Sequence, residues 1–202
     1  VQGVPLGIEV PIPQHGTCPP ADYPDKPGPD LPTSFEQIES GLENYASFKE
    51  HPEDADIEVR RVLEERYAAE VPIADLPEDY ANGTISRMSI LLQQKLDEAA
   101  GDLKLKRRLI VDMFRSGGNS KGKVPERPVL PRLCDAVTMV LHFLLVAIEL
   151  GLPLEWYLMD FSDAYFHFRG RAEEWRPLLS PWTETTVVLW VHMAFGLTAA
   201  PL

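Results

Sequence analysis

Cysteine is nearly absent from this chain. Cys18 and Cys134 lie far apart and form no CxxC arrangement, which leaves no basis for a disulfide framework or a cysteine zinc site and fits a reducing compartment. None of the five histidines has metal-ligand spacing with another His, Cys or Glu. Positive charge is also short overall, with 19 Lys and Arg against 31 Asp and Glu. Taken over the whole surface, that balance argues against a polyanionic partner, because counterion release needs cations. Long apolar runs are missing too. The strongest, Val137 to Leu150, is interrupted by His142 and Glu149 and falls short of the roughly 20 residues of a membrane span, so a buried helix and no membrane association are expected. Val1 to Pro20 lacks the basic and apolar regions of a secretory signal, which points to an intracellular location, cytoplasmic or nuclear. No period of repeat length recurs. What remains is a chain of 202 residues, 45% hydrophobic, enough to bury a core.

The charge is unevenly spread. Residues 1–80 hold eighteen acids against five cations, whereas residues 84–132 hold eleven cations against five acids. The acidity therefore belongs to the N-terminal part, and the basic stretch is what part of a nucleic-acid enzyme would carry.

Three regions follow. Residues 1–34 hold nine of the nineteen prolines and should form an extended or weakly ordered arm without function of its own. Residues 35–80 form an acidic helical region, with apolar spacing that predicts amphipathic helices over Ser34 to Ala46 and Asp56 to Glu70. In residues 81–202, Asn82-Gly83 marks a turn, Ile85 to Gln94 reads as a strand, 95–105 as a polar connection and Lys106 to Met113 as a returning strand, a hairpin with basic edges. Pro125 to Leu133 should be extended, Cys134 to Leu150 helical, and Tyr157 to Asp160 a short strand. Thr186 to Val191 is a further strand. His167, alternating with Phe166 and Phe168, reads as a structural strand residue, and Trp175, Trp182 and Trp190 as core packing. The mixture predicts an α+β fold.

Asp160-Phe161-Ser162-Asp163-Ala164-Tyr165-Phe166 closes an apolar run on an aspartate and follows it with a second aspartate and a bulky aromatic. Phosphoryl transfer to a primer hydroxyl uses two divalent ions about 3.5–4 Å apart, held by carboxylates on rigid strands. Asp160 is placed to be one such carboxylate.

From Met159 to Phe166 this segment resembles the first palm motif of reverse transcriptases of the retroviral and long-terminal-repeat retrotransposon kind. Three further segments resemble the same family in its order. Gly83-Thr84-Ile85 with Arg107-Arg108-Leu109-Ile110-Val111-Asp112 is similar to the fingers hairpin. Pro125-Glu126-Arg127-Pro128 through Leu133 resembles the segment leading from fingers to palm. Ala194-Phe195-Gly196-Leu197-Thr198-Ala199-Ala200-Pro201 resembles the motif beneath the incoming base.

The resemblance implies a partial right-hand polymerase: a fingers hairpin with leading palm strands and helices, and an incomplete palm sheet. Asp160 would be the catalytic metal ligand, with the Phe161 carbonyl as a further one, for Mg2+ or Mn2+. Arg108 would contact the triphosphate, and Asp163 and Ala164 would offer it backbone N–H groups. Tyr165 would be the steric gate selecting deoxynucleotides, and Phe195 and Gly196 would lie under the nascent pair. Lys95, Arg127 and Arg132 would contact nucleic acid. The partners implied are dNTP, an RNA or DNA template with its primer, and the C-terminal palm and thumb of a longer polyprotein. Gln93 and Gln94 stand beside Lys95 where the family often has consecutive lysines, and Met193-Ala194 where it usually has leucine-proline. The family's Tyr-x-Asp-Asp hairpin is not in these 202 residues, so the chain by itself is expected to be inactive. Two other readings compete: a non-catalytic retroelement-derived remnant that binds nucleic acid, and an acidic interaction protein.

Overall fold

The N-terminal half of the chain folds onto the C-terminal half in the computed structural model, which describes residues 3–16, 18–21, 43–78, 80, 85–97, 101–127, 129, 132–157, 163–176 and 178–194. Helix α1 is Ala46–Glu50, and α2 is Pro52–Glu64. Pro52 sits in the first turn of α2, Glu53 and Asp54 follow it, and Arg61 lies in the last turn, an order that suits both the fixed proline φ and the helix dipole. Ala55, Val59 and Val62 bury one face. The helix ends earlier than its apolar spacing predicts because Arg66 turns into left-handed backbone at φ 61. The chain then extends as β1, Ala68–Pro72.

The hairpin is present, and its strands reach further toward the tip than predicted. β2 is Met88–Asp97 and β3 is Asp102–Val111, paired from Met88↔Val111 to Asp97↔Asp102. Residues 95–97 and 102–105, expected as connection, are therefore strand, because the alternation continues through Leu96, Leu103 and Leu105. Helix α3 is the short Gly118–Lys121. Beyond it, α4 is Leu133–Leu150, stopped by Gly151 in left-handed backbone at φ 64. The expectation of a buried helix is corrected here. Ala147 is the one buried residue of α4, and Leu141, Leu145 and Ile148 are more than half exposed. A sequence apolar on every side does not by itself supply a surface to cover it, and the described residues pack no layer over this helix. By length and composition alone α4 meets the requirements of a membrane-crossing helix.

The remaining strands are β4, Leu179–Pro181, and β5, Thr186–Trp190. With β1 they form an antiparallel sheet in the order β1-β5-β4, so the fold is mixed α+β with small antiparallel sheets. Trp190 is fully buried on the central strand and donates its indole N–H to Ser180 Oγ at 3.0 Å. Val59 and Val62 of α2, Met88 and Leu109 of the hairpin, and Leu6 close the core around it. The buried Asn44 clips the two sheets together, donating to the Pro181 carbonyl at 2.7 Å and accepting from the Met88 N–H at 2.8 Å. Residues 3–16 lie against this core, and Leu6 is 1% exposed.

Candidate functional site

The segment after the apolar run does not continue as a strand. Asp163 adopts left-handed backbone (φ 52, ψ 33) and opens a 3-10 turn over Ala164–His167, closed by the Phe166 N–H on the Asp163 carbonyl at 2.8 Å. His167, expected on a strand beside Phe166 and Phe168, therefore sits in a turn, exposed, while Phe166 points inward. Phe166 is stacked on Tyr67 with ring centroids 4.9 Å apart and on Trp190 at 6.1 Å. Its carbonyl accepts from His192 Nδ1 at 2.5 Å, and the Phe168 carbonyl accepts from the Met193 N–H at 2.9 Å. Asp163 itself accepts from Arg61 at 2.8 Å. Arg61 also donates to Glu58 at 3.0 Å. Burial works against the Arg61 charge, but these two carboxylates outweigh it and hold the guanidinium pKa above its ordinary value. Ala164 and Tyr165 are half-buried, with Tyr165 packed on the main core.

The hairpin carries the second group of candidates. Its pairing puts Leu91 opposite Arg108, Gln93 opposite Lys106 and Lys95 opposite Lys104. Side chains alternate along a strand, so Lys95, Lys104, Lys106 and Arg108 share one face, and all four are exposed. Arg107 belongs to the other face and donates to Asp54 of α2 at 2.5 Å. Helix α2 thus holds the hairpin through Asp54 and the 3-10 turn through Arg61. At the foot of the basic face is an open depression of about 600 Å³ lined by Tyr45, Ser89, Ile110, Asp112, Phe114 and Arg115 among others. Tyr45 donates its hydroxyl to Asp112, and burial together with this carboxylate raises the phenol pKa. The Arg87 guanidinium lies 4.4 Å over the Tyr45 ring.

Arg127 is exposed, and its backbone N–H donates to the Pro19 carbonyl at 2.8 Å. Arg132 precedes α4, where its backbone N–H donates to Asp135 at 2.9 Å and its side chain pairs with the same carboxylate at 3.1 Å. Neither is brought to the hairpin's basic face by a described contact. Asp160, Phe161, Phe195 and Gly196 lie outside the described residues. Among the described residues no group of three His, Cys, Asp or Glu could hold a metal ion. Arg61, Asp54 and Tyr45 escape a reading of the sequence alone. Their helical neighbourhood is visible there, but their partners are remote in the chain. The sequence matches no protein-family model and no curated protein.

Proposed function

We propose that this chain carries the fingers and leading palm of a reverse transcriptase, which in a full-length protein joins deoxynucleotides to a primer on an RNA template. The observation that carries the reading is the succession of four motif-like segments between Gly83 and Pro201 in the family's order. One feature of the described residues supports it. A hairpin face gathers Arg108 with Lys95, Lys104 and Lys106, a surface suited to phosphates.

Two divalent ions need several carboxylates, and these 202 residues supply Asp160 alone from the motif set. The donor set here does not fit a two-metal centre, and no metal-dependent step is assigned to this chain by itself. The chain's own part would be to bind and orient the nucleotide, through Arg108, the 163–164 backbone and Tyr165. The test is primer extension on an RNA template by the protein read from the parent frame with any Tyr-x-Asp-Asp segment included. Extension is expected there, lost in Asp160→Asn, and absent from these 202 residues alone. Unchanged extension by Asp160→Asn would overturn the assignment. A second reading, a non-catalytic nucleic-acid-binding remnant, is favoured by the basic face, which needs no metal, and it survives if binding occurs without any extension.

A further inference from the structure

Prolines divide the N-terminal arm into two runs that have backbone donors. Pro5 and Pro11 bracket residues 6–10, and Pro13 and Pro19 bracket residues 14–18. Proline has no N–H, so the donors of the arm are concentrated in those two runs. Each run is filled by one carboxylate from far along the chain. Glu174, fully buried, accepts from the N–H groups of Leu6, of Ile8 at 2.9 Å, and of Glu9 and Val10 at 3.2 Å. Glu126, also buried, accepts from His15 at 2.6 Å, Gly16, and Cys18 at 3.1 Å. Successive amides converging on an anion form a nest. A carboxylate taken out of water needs such donors, so the arm and the two acids depend on one another.

The rest of the seat is backbone to backbone. Val4 donates to Arg169 O at 2.8 Å and accepts from the Arg171 N–H at 3.1 Å. Lys123 donates to Gly7 O at 2.8 Å, and Ala21 to Pro125 O at 2.9 Å. Close approach explains two glycines. A Cβ on Gly7, at φ +83, would stand 2.6 Å from the Lys123 carbonyl, and one on Gly3, at φ +74, would stand 2.5 Å from the Gly170 carbonyl. The arm makes isolated bridges, Val4↔Gly170 and Pro20↔Glu126, and among the described residues it joins no strand ladder. Leu6 is its one fully buried side chain among those described.

We propose that residues 3–16 and 18–21 are a detachable strap, keyed by Glu174 and Glu126. Seated, it clamps the segment at Lys123–Arg127 to the segment at Arg169–Glu174, directly after the Ala164–His167 turn. It opens as a unit while the β1-β5-β4 sheet stays folded, because Leu6 is its one fully buried side chain and Val4, Ile8 and Ile12 are only partly buried against the core. This holds whatever the catalytic reading proves to be.

Hydrogen exchange tests it on the unaltered chain. In low denaturant the amides of residues 6–10, 15, 16 and 18 should exchange through an opening of small denaturant dependence, and those of Thr186–Trp190 only with global unfolding. Glu174→Gln should speed exchange at residues 6–10, and Glu126→Gln at 15, 16 and 18, by about tenfold or more, since a charged acceptor is removed, with Thr186–Trp190 unchanged. Exchange of strap and sheet amides through one common opening in the unaltered chain would overturn the proposal. So would variants that leave the strap amides as slow as before, or that speed strap and sheet alike.

Discussion

Asp163 is one of two described non-glycine residues in left-handed backbone, at φ 52. Aspartate visits this region more easily than most side chains, yet it still costs energy. The Arg61 bridge offsets part of that. Both partners are about a third exposed, so the pair contributes about 1 kcal/mol at most. The larger anchor is the buried ring of Phe166 three residues on. His192, bonded to the Phe166 carbonyl, should make the turn sensitive to pH. Burial lowers the His192 pKa first, the Phe166 carbonyl raises it, and Arg169 and His167 lower it again. A histidine whose folded pKa lies below its unfolded value near 6.5 binds fewer protons folded than unfolded. Its stabilising effect is therefore complete above about pH 6.5 and is lost as pH falls from there toward the folded pKa. Urea titrations should show stability falling over that window in the unaltered protein and a flatter profile in His192→Gln. Equal slopes would assign the pH dependence elsewhere. The alternation Phe166, His167, Phe168 is legible as a pattern, but a strand is the wrong period for it. A left-handed residue just ahead of it sets a turn, and no local preference of those three residues reveals that.

The hairpin is the element most legible in the sequence. Its basic character, two-strand form and apolar alternation are all visible between residues 85 and 113. Register is not, and register decides that Arg108 shares a face with Lys95, Lys104 and Lys106 while Arg107 turns to Asp54. Replacing Lys95, Lys106 and Arg108 together by Gln should weaken binding to a primer–template and make that binding less salt-dependent, by about one unit of slope for each phosphate that is no longer neutralised. The paired strand ends carry little of the core, so melting temperature should stay close to that of the parent. Binding with an unaltered salt slope would show that nucleic acid does not use this face. Strands β1 and β4 are not foreseen from the sequence. Ala-Ala-Glu-Val-Pro and Leu-Ser-Pro have weak strand preference, and they are strands because β5 pairs with them, for β1 from across the chain.

At the scale of the whole molecule, α4 stands apart from the other described residues. Its length and its apolar content are plain in the sequence, yet Leu141, Leu145 and Ile148 are 54%, 67% and 68% exposed on one helical face. Exposed apolar side chains contiguous on one face form a patch that can take up an apolar probe. The 202 residues should therefore bind an environment-sensitive dye such as ANS, and replacing these three by Gln should reduce the fluorescence while far-ultraviolet helicity is kept. Loss of helicity with the signal would mean that α4 forms only when its apolar side chains are intact.

The sequence by itself determined the local objects: an acidic amphipathic helix, a basic hairpin, a long apolar helix, a Thr-Val-Val-Leu-Trp strand and the order of four motif-like segments. Period, proline and charge act over a few residues, so they can be read there. Only the tertiary structure decided that Ala68–Pro72 pairs with Thr186–Trp190, that Glu174 and Glu126 accept from amides of the N-terminal arm, that one hairpin face collects four cations, and that the described residues leave α4 uncovered. Each of these depends on groups remote in the chain or on a register set by burial. A backbone amide or a carboxylate carries no sign, in its own neighbourhood, of which distant group will satisfy it.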